Sequence, residues 1–269
     1  MSAIALLYGA IVGLSLGLTG GGGAIFAVPL LVYGMGVSMY EAVGISLAAV
    51  GATSLIGFLT RWRHGDVEIR TGLLFAVAGM IGAPIGTLVA GRMSEALLLG
   101  LFAVLMLIIA VRLWQKAATP QVTCETGGDE RQPTCRRDAS GQLQLTSRCA
   151  MMLSFVGLVT GVLSGMFGVG GGFVIVPALI FFTNMSIHKA VGASLMVIAI
   201  VSVSGVTSHL LVGRSIEPVL TMLFIAGGVG GLFAGQAIGR RLSGPALQKG
   251  FAVAIVAVAM FVIAKTLMA

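Results

Sequence analysis

An all-α, polytopic membrane protein built as two inverted repeats is the fold class that this sequence predicts. Three observations carry it. Charged residues make up 9% of the 269 and hydrophobic ones 57%, where a soluble domain carries roughly 25% charge. Ten apolar runs, cut by glycine, proline and charge clusters, divide the chain five and five around one polar stretch. The second half also copies the first at a constant offset of 148 residues.

The elements follow in order. Apolar runs at 3–18, 24–37, 41–61, 71–91 and 95–114 form the first membrane repeat, 1–114. The opening residues lack the basic start and small-residue cleavage site of a signal peptide, so they read as a retained membrane segment. Residues 115–149, rich in Thr, Gly, Pro and charge, read as a flexible polar linker. Runs at 150–167, 173–185, 189–212, 216–239 and 246–268 form the second repeat, 150–269. The net charge of +7 is a topology signal rather than a nucleic-acid footprint. No nucleic-acid partner is expected; the partners are the lipid bilayer and a small solute. Cys124, Cys135 and Cys149 all fall in the linker, do not match metal-ligand spacing and read as free thiols. Neither a metal nor a cofactor is expected, nor an enzyme, since the apolar runs hold no acid, base or metal constellation.

The repeat is read residue by residue. Gly9, Gly13 and Gly17 meet Gly157, Gly161 and Gly165; Pro29 meets Pro177; Val43-Gly44 meets Val191-Gly192; Ser46 and Ser54 meet Ser194 and Ser202; Gly79, Gly82 and Gly91 meet Gly227, Gly230 and Gly239. If each half reverses the side of the chain, 13 of the 16 basic residues fall on one face and Arg92, Arg214 and Lys265 on the other. The positive-inside rule then puts the linker in the cytoplasm and both termini outside. Halves of opposite orientation are the arrangement of many secondary transporters.

Glycine marks the candidate site. It costs about 1 kcal/mol against alanine in a helix interior, yet Gly20, Gly21, Gly22 and Gly23 are consecutive, as are Gly170, Gly171 and Gly172 two residues after Gly168. The runs 3–18 and 24–37 are about 24 Å and 21 Å long as helices, short of a hydrocarbon core of about 30 Å. Two short, glycine-broken helices per half are therefore expected to enter, turn within the membrane and leave. Broken backbone at that depth must line protein or a cavity. Its bare N–H groups, with the helix starts that follow, make an anion pocket. Glycines spaced by four, such as Gly9, Gly13 and Gly17, read instead as helix-packing positions. Thr19 beside the first turn, the repeated pair Ser46 and Ser194, and His209 near the end of its run complete the candidate substrate-binding set. For His209 the roles open are gating, proton handling and anion pairing.

The Gly-rich turn leading to Pro, the "AVGxSL" segment at Ala42–Leu47 and Ala190–Leu195, and the GxxxGxxxG fourth segment together resemble the TauE/SafE family of sulfite exporters. The resemblance covers the chain outside the linker. It implies a multi-pass permease of the bacterial cytoplasmic membrane that exports sulfur-containing anions such as sulfite, sulfoacetate or related organosulfonates. The family segment reads "VGTSL"; here Ile45 and Ala193 stand in place of the threonine, so each half loses a hydroxyl.

Overall fold

The computed structural model describes residues 2–21, 23–63, 67–118, 147–183, 185 and 187–239, together with Val256 and Met260. The elements are all α-helices: α1 (Ser2–Thr19), α2 (Ala24–Met35), α3 (Met39–Trp62), α4 (Ile69–Gly91), α5 (Glu95–Ala118), α6 (Ser147–Phe167), α7 (Gly172–Thr183), α8 (Ile187–Leu211) and α9 (Pro218–Gly239). Nine of the expected runs reappear within a few residues. The tenth, 246–268, lies outside the described residues except for Val256 and Met260, as do linker residues 119–146.

Six of these helices, α1, α3, α4, α6, α8 and α9, are long and apolar enough to cross a membrane. This corrects one expectation. The first helix of each glycine-broken pair is not short: α1 has 18 residues and α6 has 21, or about 27 Å and 32 Å. Only α2 and α7, at 12 residues each, fall well below a bilayer's span. Helix α1 survives its glycines because they are packed. A methyl on Gly9, Gly13 or Gly17 would lie 2.3, 1.9 or 2.4 Å from the carbonyl oxygens of Phe224, Gly228 and Leu232 on α9. Gly157, Gly161 and Gly165 of α6 press in the same way on the carbonyls of Phe75, Gly79 and Ala83 of α4. The lost propensity is offset by close backbone approach, which carries helix association in lipid.

The packing exchanges between halves. Helix α1 lies on α9, and α6 on α4; α3 and α8 cross each other at the centre, with α2 and α7 each against the α3 or α8 of its own half. Helices α3 and α8 have the most buried spans. Leu7, Ile81, Leu88, Phe155, Val203 and Met222 point outward and exposed, the apolar rim that lipid covers.

Helix ends are set locally. Helix α2 runs through Pro29 and stops at Gly36, whose φ of 70° lets its N–H return to the Val32 carbonyl at 3.1 Å. Ser38 caps α3 through the Glu41 N–H at 3.3 Å. The Glu95 carboxylate, at the start of α5, accepts the Met39 N–H and so ties α5 to the same capped end. Cys149 is disulfide-bonded and fully buried, which corrects its reading as a free thiol; Cys124 and Cys135 lie outside the described residues.

Candidate functional site at the paired glycine turns

Each turn begins where a long helix runs out. The Gly20 N–H closes α1 on the Leu16 carbonyl and the Gly168 N–H closes α6 on the Ser164 carbonyl, both at 2.8 Å. Gly20 and Gly168 then adopt φ of 76° and 69°, which a side chain disfavours. Neither has room for one. A methyl on Gly20 would lie 2.9 Å from Val191 Cα, and one on Gly168 would lie 2.8 Å from Val43 Cα. Those valines are the repeated Val-Gly positions of α8 and α3, so each turn rests on the central helix of the other half.

The two turns meet. A methyl on Gly21 would sit 2.4 Å from Gly172 Cα, and a methyl on Gly172 would sit 2.4 Å from Gly21 Cα. Gly170 fits between Ile198 Cγ2 and Val50 Cγ1, which are themselves repeat counterparts. Helices α2 and α7 therefore start at one junction and direct their positive dipole ends there. Among the described residues, the amide N–H groups of Gly21, Gly23, Val169, Gly170 and Gly171 meet no acceptor. Gly22, the remaining member of the candidate set in this turn, lies outside the described residues.

Ser46 and Ser194 brace the junction crosswise. The Ser46 hydroxyl donates to the Gly168 carbonyl at 2.6 Å, and the Ser194 hydroxyl donates to the Gly20 carbonyl. Both serines are fully buried. They hold the turns rather than point free donors at a solute. Replacing either by alanine leaves a buried carbonyl without its partner. We expect each of Ser46→Ala and Ser194→Ala to lower stability by about 1–3 kcal/mol, read as a fall in the melting temperature of the detergent-solubilised protein.

The remaining candidates are dispersed. The Thr19 hydroxyl donates to the Ser15 carbonyl of its own helix at 2.8 Å. His209 is fully buried near the end of α8 and packs against Gly44 of α3 rather than on a turn: a methyl on Gly44 would lie 2.6 Å from Nε2. Sequence reading overlooked Val43, Val191, Val50 and Ile198, which support the turns. The first pair was visible as a repeated Val-Gly, the second only as apolar residues at matching positions. It also expected open space at the turns. Gly21 and Gly172 pack on each other instead, and a narrow crevice lies beside them, lined by Val12, Leu16, Val50, Thr53 and Phe224. The two turns are in direct contact.

Comparison with known proteins bears on this arrangement. The family model described as Sulfite exporter TauE/SafE matches residues 5–262. A probable membrane transporter protein of Xylella fastidiosa (strain 9a5c) is 34% identical over 261 residues, 95% of this chain and 92% of that protein. The probable membrane transporter protein YdhB of Bacillus subtilis is 28% identical over 229 residues, 84% and 85% of the two chains. MJ0441 of Methanocaldococcus jannaschii, also a probable membrane transporter protein, is 26% identical over 211 residues, 76% and 71%. No solved structure matches. With the match running across nearly the whole chain, glycine turns and crossed helices included, this is a membrane transporter, not an enzyme, and it belongs to the TauE/SafE sulfite exporter family.

Proposed function

We propose that the chain exports small sulfur-containing anions, sulfite or an organosulfonate such as sulfoacetate, by alternating access around the two glycine turns. The observation that carries this reading is the junction itself. Two helices start beside the Gly21–Gly172 contact, and among the described residues five amide N–H groups of the two turns meet no acceptor. Such a junction favours negative charge. Its closure favours alternation over the alternative, an anion channel of the same fold, because a channel needs a continuous opening.

The proposed direction follows from charge. An anion leaving a cell that is negative inside gains about 2.3 kcal/mol per charge per 100 mV, so export needs no coupling ion. The reading sets the two halves in opposite orientation, with the linker cytoplasmic and the termini outside, from the 13-to-3 split of basic residues.

Proteoliposomes loaded with sulfite or sulfoacetate test the function. Efflux should saturate and should accelerate when the interior is made negative. Efflux of a charged species that ignores the imposed potential, or no efflux of either anion, overturns the proposal. Unsaturable, diffusion-like flux selects the channel.

A further inference from the structure

The glycine junction leaves a row of buried polar groups unused. Helices α3 and α8 cross antiparallel, and their touching pairs fix the register. Gly44 faces His209, Leu47 faces Gly205, and a methyl on Gly51 would lie 3.1 Å from the Ser202 hydroxyl. One turn before Gly44 on the same α3 face stands Tyr40, whose ring carries the Arg214 guanidinium at 4.3 Å from its centroid. Arg214 is tied back to the end of α8 by its N–H to the His209 carbonyl at 3.3 Å. Arg214, His209 and Ser202 therefore follow one another inward along a single seam. Ser54, the repeat counterpart of Ser202, continues it one turn beyond Val50.

His209 and Ser54 are fully buried and Ser202 is 2% exposed. Neither ring nitrogen of His209 and neither serine hydroxyl meets a partner among the described residues. Among those residues, too, no carboxylate pairs with Arg214. A guanidinium fixed on an aromatic ring keeps its donor fork for a planar or tetrahedral oxyanion. Hydroxyls and an imidazole can donate to the same ion further in. The row reaches the junction, because Ile198 and Val50, one turn from Ser202 and Ser54, are the side chains that enclose Gly170.

We infer that the α3–α8 seam is the route by which a small oxyanion passes between one face of the protein and the glycine turns. Arg214 and His209 form its outer recognition pair, and Ser202 and Ser54 are its inner stations. The inference rests on the anion-transport reading above, and it assigns a binding step that the turns do not make.

The test compares the full-length protein with Arg214→Gln, Arg214→Lys, His209→Asn and the double variant Ser54→Ala with Ser202→Ala. Calorimetric binding of sulfite, sulfate and sulfoacetate in detergent is measured alongside proteoliposome efflux. Arg214→Gln should raise Kd and the KM for efflux at least tenfold, with Arg214→Lys between it and the wild type. The double serine variant should lower the maximal rate and leave Kd unchanged. If the wild type transports and all four variants bind and transport as it does, the seam is overturned and the transport reading stands. If the wild type binds through Arg214 but carries no flux, the transport reading falls and the recognition pair stands. Neither binding nor flux by the wild type overturns both. Should Arg214→Gln fail to fold, Arg214→Lys and His209→Asn carry the same comparison.

Discussion

Alanine at Gly21 or at Gly172 is expected to cut transport about 100-fold while the helices remain intact. The added methyl would sit 2.4 Å from the Cα across the junction, where ordinary contact begins at 3.4 Å. The obstacle is backbone and cannot rotate aside, so the turns must stand about 1 Å further apart. Displacements of that size cost roughly two orders of magnitude when geometry has to be held. Neither glycine has positive φ, so alanine is acceptable to its own backbone and the effect falls on the approach of the two halves. Gly171 is a poorer probe. With a φ of 69°, and a methyl that would meet Thr160 Cγ2 at 2.3 Å, its substitution strains the fold itself. Efflux within threefold of wild type for Gly21→Ala, at an unchanged melting temperature, would sink the prediction.

Leucine at Gly13 should act on the fold instead. Its Cβ would lie 1.9 Å from the Gly228 carbonyl oxygen, and the matching position, Gly161, offers 2.1 Å to the Gly79 carbonyl. Relief requires α1 to leave α9, or α6 to leave α4. Overpacking of a close interface costs about 3 kcal/mol or more when backbone must yield, so Gly13→Leu and Gly161→Leu should lower the melting temperature sharply or fail to yield folded protein. Gly100 is the control. It has nothing within 4 Å of an added methyl, and Gly100→Leu should stay within about 0.5 kcal/mol of wild type. Equal stability of Gly13→Leu and Gly100→Leu would refute the packing account.

What the sequence made legible was local. Hydropathy located the apolar runs, because an apolar helix declares itself wherever it packs, and the four-residue spacing of Gly9, Gly13 and Gly17 identified them as contact positions. Glycine propensity is a cost per residue, whereas Phe224, Gly228 and Leu232, which offset it, lie some 200 positions away. At the junction, consecutive glycines signalled broken backbone, but only coordinates bring Gly21 onto Gly172. The serines were chosen for their hydroxyls. Their acceptors are carbonyls of the opposite half, which no spacing rule connects to them. The seam was hidden more deeply, since Tyr40 and Arg214 look like ordinary segment-end residues until α3 and α8 are crossed.

The pairing of α1 with α9 bears on biosynthesis. About 200 residues separate Thr19 from Pro218. At a synthesis rate of about 5–20 residues per second, the ribosome needs roughly 10–40 s between completing the first helix and beginning its mate. For that interval the glycine-lined flank of α1 has no native cover. The insertion machinery, or a transient neighbour, must shield it until the last fifth of the polypeptide arrives.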